Sequence, residues 1–374
     1  LIGSFQQEQV EQVLTIKELN NEQKPTGRYA TFTNVEFLPL QYSDLIETKL
    51  TSKFIVPLSW KNARVVKSNI SEISVDDFAS AYSSFESSYT SRGIALVKGG
   101  WLPCGFAIQG RTMVFPDRCI VTAVKQRFQE GLKKNEEDKD FLDFLSTPGI
   151  RLNPSLFVVE GNMRQNPNPK VIKQQFKEVI AVLRSALPQA KLFPRESDSL
   201  KGIIGITQDT KSSIEKKQDF LLRLAPKLQP PTSVAKKDGL WEEILLTAQD
   251  FDIPNTALVV IAALSAISLP QGTNPSKQML KLKNGFTKQD AYNALADIRS
   301  LEILMHLFAL HPDEHLALLT ADRNLALFWS GLQVSNLVWI DNHLSYKLSP
   351  FDILIPKATE AQKEHFFSLS ARSN

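Results

Sequence analysis

One stretch constrains the fold more than any other: residues 287–322, TKQDAYNALADIRSLEILMHLFALHPDEHLALLTAD. Its first part predicts a long helix. Thr287 has the character of an N-cap, and Asp290, three residues on, can close a variant capping box. Ala294, Leu301, Leu304 and Phe308 recur close to a 3.6-residue period. Asp297 falls on that same stripe, because a helix turns about 100° per residue. An acid on an apolar helix face is costly unless something pairs with it. Glu302 points off the stripe and raises no such question. Beyond the Pro312 turn, LALLT is a short apolar run bounded by polar residues, the pattern of a strand buried on both faces. Asp322 sits at its carboxyl end, the end at which open α/β sheets bind ligands. One acid on a helix and one at a strand terminus therefore aim at one point.

The 374 residues accommodate two domains or one large decorated one. With 43% hydrophobic and 22% charged residues, the composition is that of an ordinary soluble globular chain. A formal charge of +3 is too small to prove a nucleic-acid partner, so any basic surface must be local. Cys104 and Cys119 supply neither metal-ligand spacing nor a disulfide framework. That suits a reducing cytosol, and a cytoplasmic location is expected. The opening LIGSFQQEQVEQVL lacks a basic start and a long apolar core, and is read as no signal peptide. The most apolar run, residues 257–269, is shorter than the roughly 18 residues of a membrane span. It is read as a core helix with Asn255 or Thr256 as N-cap, and no membrane partner is expected.

Residues 1–100 show no catalytic constellation. They are read as an N-terminal α+β extension, structural or partner-binding, through which a protein partner or a second copy is expected to act. Its opening segment reads as an amphipathic helix to about Asn20. FIVPLSW and ARVVKS, within residues 54–68, read as strands, and DDFASAYSSFESSY, residues 76–89, as a short serine-rich helix. From Gly93 the texture turns to β, with Gly99-Gly100 and Gly110 as turn signals. MVFPDRCIV ends its first apolar stretch at Asp117, and VTAVKQRFQEGL leads away as a helix. Asp117 thus stands at a strand-to-helix junction as Asp322 does, although Pro116-Asp117 also reads as a plain turn or N-cap. KKNEEDKD, residues 133–140, reads as a solvated helix face.

Asn153 is a fitting N-cap, with Pro154 at the first helical position. Glu160 follows LFVV and is a further acid beside apolar residues, while Gly161 equally marks a helix end that leaves Glu160 exposed. Residues 170–187 predict one helix. Residues 188–239 carry Pro188, Pro194, Pro226, Pro230 and Pro231 and read as an irregular insertion or mobile helical elaboration. Residues 241–248 and 256–269 predict two more helices. SKQMLKLKNGFTK then reads as a lysine-rich loop abutting the Asp297 helix, with Lys277, Lys281, Lys283 and Lys288 and no acid. After Asp322, NLALFWSGL predicts a helix, VSNLVWID a strand, FDILIP a last strand, and the tail a polar helix. No repeat of 20–50 residues is present.

Asp117, Glu160, Asp297 and Asp322 each end or interrupt an apolar segment. Carboxylates that converge repel one another and stay ionised together only if a cation compensates. The ligand set is hard oxygen, with no His or Cys cluster, which favours Mg²⁺ or Mn²⁺ over zinc. Phosphodiester hydrolysis is the reaction such a site serves most directly. His306, His311 and His315 cluster near the Pro312 turn and read as surface or helix-end residues.

The chain resembles the PIN-domain nucleases at these residues. LLTADRNLALFW is the closest match, ALADIRSLEIL resembles the motif with an acid in an apolar helix, LFVVEGN the helical glutamate motif, and VFPDRCIV the first aspartate. The likeness spans roughly residues 111–345. Two departures stand out. Arg118 follows the first aspartate, where the family has a small hydroxyl residue. The Glu160–Asp297 interval is also long, which the insertion at 188–239 would explain.

The resemblance implies a three-layer α/β/α PIN-like domain over residues 101–374, with a mostly parallel central sheet. It implies a metal-dependent endoribonuclease whose four acids hold Mg²⁺ or Mn²⁺. Thr320 and Asn324 flank Asp322 and are expected to orient it or a metal water. Arg118, Arg164, Arg299 and Arg323 each lie near an acid in sequence and are expected to contact phosphate or neutralise the acids. Lys277, Lys281 and Lys283 are expected to follow a nucleic-acid backbone. A structure-specific DNA nuclease of the same fold and a catalytically silent interaction scaffold are the alternatives. A large extension also suits a regulated, toxin-like or defence effector.

Overall fold

Strands come first in the chain. β1 (Leu14–Leu19), β2 (Pro25–Thr33), β3 (Glu36–Phe37), β4 (Phe54–Ser68) and β5 (Phe78–Ser87) form one antiparallel five-stranded sheet, and helix α1 (Tyr42–Glu47) separates β3 from β4. The structure, a computed structural model, describes residues 14–370 except 21, 23, 52–53, 109–110, 162–163, 194–195, 271, 273 and 342. The two strands expected within residues 54–68 are one long strand, bulged between Trp60 and Ala63 where Asn62 takes φ 56°. Leu14 and Ile16 pack against a small core of Phe32, Leu58, Trp60 and Val65.

Two helical expectations fail in this sheet. Residues 14–19 are strand β1; the rest of the expected opening helix, residues 1–13, lies outside the described residues. Residues 78–87 are strand β5, not a helix. Ala79, Ser83 and Phe85 turn inward at even spacing, and the ladder with β4 satisfies the backbone that serines would leave weakly helical.

The second sheet is six-stranded. It takes β6 (Ile94–Val97), β7 (Gly100–Pro103), β8 (Met113–Pro116), β11 (Arg151–Leu152), β12 (Lys191–Leu192) and β13 (Leu316–Thr320), in the order β12-β11-β8-β13-β6-β7. The first four are mutually parallel; β6 and β7 join antiparallel. β6 and β7 close on a two-residue turn at Lys98-Gly99. Gly100 lies so close to the backbone of Leu40 that a Cβ would stand 2.2 Å from its carbonyl oxygen. Gly110 lies outside the described residues. Both β8 and β13 are buried along their whole length, which is why they read as unbroken apolar runs.

Helices fill the connections. α2 (Cys104–Ala107) follows β7, and α3 (Arg118–Arg127) follows β8, leading into a small hairpin of β9 (Phe128–Gln129) and β10 (Leu132–Lys133). α4 (Ser155–Glu160) and α5 (Pro169–Ala186) link β11 to β12. α6 (Glu196–Asp209), α7 (Lys211–Leu228), α8 (Val234–Asp250), α9 (Leu258–Ser268), α10 (Pro275–Leu280) and α11 (Lys288–Leu310) run between β12 and β13. α12 (Arg323–Leu332), the hairpin β14 (Ser335–Ile340)–β15 (His343–Lys347) and α13 (Glu360–Ser370) close the chain. The whole is a mixed α/β protein in which one sheet is mixed and mostly parallel. Among the described residues, no helix is long and apolar enough to cross a membrane.

Several local expectations are corrected. The stretch 188–239 is not irregular: α6 and α7 are full helices and α8 begins within it. α7 buries Ile214, Lys217, Gln218, Leu221, Leu224, Ala225 and Leu228, a regular stripe hidden by its two polar members. Lys217 is balanced by Glu302 at 2.6 Å, and Gln218 donates to the Lys288 carbonyl at 3.0 Å. Pro226 lies in the last turn and Pro230-Pro231 between helices, while Pro194 lies outside the described residues. Residues 134–140 are not helical: 134–137 and 139 are exposed as expected, but the two aspartates are not free in solvent. Asp138 pairs with Arg127 at 2.9 Å, and fully buried Asp140 accepts from the Arg92 and Leu142 amides at 2.9 and 2.8 Å. The lysine-rich loop begins as helix α10. FDILIP is a turn, not a strand; it buries Leu354 and Ile355, with Leu354 packed against Gly331. The N-cap of α9 is Ala257, and that of α4 is Pro154, with Asn153 accepting from the Ser155 amide at 3.0 Å.

Candidate functional site

β8 and β13 are parallel neighbours, with Leu319 opposite Pro116. Their carboxyl ends therefore lie side by side, and each is followed by an acid that starts a helix. The Asp117 amide donates to the Leu319 carbonyl at 3.0 Å, so the next residues stay in step. Asp117 is the N-cap of α3: Oδ1 accepts from the Ile120 amide at 2.7 Å. Asp322 is the N-cap of α12, and its Oδ1 accepts from the Asn324 and Leu325 amides at 2.8 and 3.1 Å. The plain N-cap reading of Asp117 is thus correct as far as it goes. Thr320 is fully buried between the two acids. Its Oγ accepts from the Asp322 amide at 2.9 Å, and its hydroxyl acts on the Asp117 carboxylate, opposing the rise in that group's pKa.

The other two acids come from helices. Glu160 is the last residue of α4, and Gly161 (φ 73°) turns the chain away behind it. Its Oε2 accepts from the Arg118 amide at 3.4 Å, which sets it beside the start of α3. α11 carries Asp297. The Thr287–Asp290 capping box starts that helix, and Ala294, Leu301, Leu304 and Phe308 are buried as the stripe requires. The Asp297 side chain retains 18% of its exposure, and its Oδ2 receives the Lys281 ammonium at 3.1 Å.

Asp297 acts on Asp117, Asp322 acts on both, and both act on Glu160. Burial pushes Asp117 up to about 6, against the Thr320 and Ile120 hydrogen bonds and with the charges of Asp297 and Asp322 adding to the rise. Burial also pushes Glu160 up to about 8, reinforced by Asp297 and Asp117 and opposed by Arg118. Asp297 rises to about 6, again chiefly by burial, with Lys281 opposing and Asp322 reinforcing. Asp117 and Glu160 keep an edge in solvent, but protein surrounds the carboxyl groups themselves, and it is that enclosure which the shifts report. Cys119, two residues beyond Asp117, is exposed at the rim, yet partial desolvation of its thiol and the field of all four acids push it up to about 11.

Most of the named basic residues point elsewhere. Arg299 is buried and donates to Asn166 Oδ1 at 3.0 Å, to the Ile206 carbonyl at 3.3 Å and to Thr210, pinning α11 to α6 and α7. Arg323 caps α1, donating to the carbonyls of Thr48 (2.9 Å), Ile46 (3.2 Å) and Leu45. Lys277 donates to the Pro230 carbonyl at 3.0 Å, and Lys283 pairs with Asp290 at 2.9 Å. Arg164 is exposed at φ 55°. Arg118 lays its guanidinium 4.4 Å above the Phe157 ring and acts on Glu160. Lys281 alone of the three lysines meets the acids. Asn324 contributes its backbone amide to Asp322. Two features escaped the sequence reading: Cys119 at the rim, and Lys281 as an ion-pair partner instead of a phosphate contact.

The donor set is hard oxygen and fits Mg²⁺ or Mn²⁺ in chemistry and charge. Among the described residues, however, no group of three acidic, imidazole or thiol side chains stands close enough together to hold a metal ion as placed. A cation would have to draw the carboxyls together and displace Lys281. The fold and site define a mixed α/β protein with an acidic cluster at the carboxyl ends of adjacent parallel strands. Compared with protein-family models, curated proteins and solved structures, the chain matches none.

Proposed function

We propose that the chain is a metal-dependent nuclease built on a PIN-like three-layer α/β/α domain, and that it hydrolyses phosphodiester bonds in RNA. One observation carries this reading: four carboxyls from α4, α11 and the ends of β8 and β13 form a single electrostatic cluster with three raised carboxyl pKa values. Such an arrangement is unfavourable by itself and becomes favourable around a divalent cation. A cation bound there supplies Lewis-acid polarisation of the phosphoryl group and activation of water. The chain's own residues orient the acids: the amides of α3 and α12 fix Asp117 and Asp322, and Thr320 ties those two together. RNA as the substrate follows from the resemblance to PIN-domain nucleases; DNA is the competing substrate of the same chemistry.

A second reading is favoured by the Lys281–Asp297 ion pair and by the N-cap bonds of Asp117 and Asp322, which give three of the acids structural partners. In it the protein is an interaction scaffold. Purified protein incubated with labelled single-stranded RNA and DNA, in Mg²⁺, Mn²⁺ or chelator, separates the two. The nuclease reading expects metal-dependent cleavage, RNA before DNA, lost in Asp297→Asn. Cleavage that survives chelator, or that Asp297→Asn leaves intact, overturns it.

A further inference from the structure

Three lysines stand within seven residues of one another at 277, 281 and 283, yet only one is aimed at the acids. Its direction is built into the backbone. α10 is fastened to α9 by Asn274, whose Nδ2 donates to the Ser265 and Ala266 carbonyls at 2.9 and 3.1 Å. Ser276 Oγ meets Ser265 Oγ at 2.8 Å, and Leu280 is fully buried. Immediately after Leu280 the chain turns: Lys281 caps α10 in the left-handed region at φ 51°, ψ 38°. A residue with a Cβ adopts that region infrequently. The turn leaves the Lys281 side chain 55% exposed while bringing its Nζ to 3.1 Å from Asp297 Oδ2. Its charge also acts on Asp322 and Glu160, so one ammonium serves three of the four acids.

Resting on the nuclease reading, we infer that Lys281 is the built-in counter-ion of the acid cluster: its ammonium holds the cation position at Asp297 in the metal-free protein and is displaced when a divalent cation enters. The physical ground is competition. One carboxylate oxygen cannot take both an ammonium at hydrogen-bond distance and a metal ion on the same lone pair. The half-exposed, four-carbon stem lets the lysine leave without moving α10. Apparent metal affinity is therefore lowered by the strength of the Lys281–Asp297 pair.

Mn²⁺ binding to the full chain, measured by isothermal titration calorimetry without substrate, tests this. Lys281→Met keeps the stem and removes the charge. It should bind Mn²⁺ about fivefold more tightly than wild type, the scale of a partly exposed ion pair. Lys277→Met removes the same charge from the same segment without touching the cluster and should leave the affinity unchanged. Equal or weaker binding in Lys281→Met overturns the inference, as does equal tightening in Lys277→Met, which would reduce Lys281 to background charge. Both of those results leave the nuclease reading standing. No Mn²⁺ binding in wild type or in Lys281→Met overturns that reading and the inference together.

Discussion

The carboxyl ends of β8 and β13 and the N-terminal sheet are held together in opposite ways. At the strand ends, acids crowd into a partly buried space and three of them are pushed above their ordinary range. Their geometry is kept by neighbouring amides, Thr320 and Lys281, and their ionisation works against folding. In the N-terminal sheet the core is Ala30, Phe32, Val35, Leu58, Trp60, Ala63 and Val65, with charges confined to its surface. That region is held by apolar packing and its strand ladders, with ion pairs only at its surface. A place where charge is concentrated against its own stability is a place to look for chemistry. Among the described residues, the N-terminal sheet holds no comparable cluster of buried acids.

The widest separation between the two regions lies in Asp322→Asn. Removing this charge should lower cleavage by more than about 100-fold, since partners outside a metal's own ligands already cost about 10–100-fold. Stability should not fall below wild type: the amide oxygen still accepts from the Asn324 and Leu325 amides, and a repulsion on Asp117 and Asp297 is relieved. RNA cleavage assays and urea melts read the two quantities separately. A destabilised variant that still cuts would make the acid region structural, like the sheet.

Trp60→Ala should do the reverse. Trp60 is buried and packs with its ring centroid 6.3 Å from that of Phe32. Its truncation leaves a cavity and should cost about 3–5 kcal/mol. Cleavage per folded molecule, measured well below the melting temperature, should hold. If activity collapses while the protein stays folded, the sheet is coupled to the acids and the contrast fails.

The two regions also differ in how far the sequence disclosed them. Asp117, Glu160 and Asp322 were legible because each ends a short apolar run, and Asp297 because it interrupts a stripe. Burial on both faces makes MVFP and LALLT conspicuous. β5 was hidden because serines occupy much of its alternation, so its period is weak and its identity depends on pairing with β4. α7 was hidden for a related reason: Lys217 and Gln218 sit on its buried stripe, excused by partners on α11 that sequence does not display. The arginines misled through adjacency. Two helical residues apart means about 200° apart, so Arg299 faces away from the acid cluster that Asp297 meets. Lys281 lies sixteen positions from its partner, and only the left-handed turn at its own backbone brings them together.

Protons offer a smaller and reversible probe. Asp117 and Asp297 move from 3.8 to about 6, and Glu160 from 4.5 to about 8. In the unfolded chain these groups lose their protons near pH 4; in the folded protein they keep them longer. Between roughly pH 4 and 8 the folded state therefore binds more protons, and the metal-free protein should lose stability as pH rises. For Asp297 alone the rise from 3.8 to about 6 corresponds to a loss of about 3 kcal/mol. Asp290, held at about 2 by Lys283 and the Thr287 bonds, acts with opposite sign, and its window lies below about pH 4. Urea melts in chelator at pH 5 and 8, for wild type and Asp297→Asn, isolate the cluster: the variant should show the shallower fall. A wild type that gains stability across this interval by more than the variant contradicts the raised values.

The smallest expected effect falls on the far edge of the N-terminal sheet. β5 pairs with β4, and among the described residues no strand pairs with its other side. Phe78 and Tyr82 point outward, 74% and 75% exposed. Such an edge is open to strand addition unless charge or proline blunts it, and within β5 only Glu86 is charged. Tyr82→Lys places a cation in the middle of that edge. For a monomer the change should be within about 0.5 kcal/mol, because an exposed side chain makes few contacts to lose. If two copies associate through this sheet, wild type should instead sediment heavier with rising concentration, and Tyr82→Lys should remain monomeric at the same concentrations. A wild type that stays monomeric throughout removes the expectation of self-association here. A variant that associates as wild type does moves the contact off β5. Either way the acids should be untouched: Mn²⁺ affinity and cleavage in Tyr82→Lys should equal wild type, since the sheet that carries the substitution contributes none of the four carboxyls.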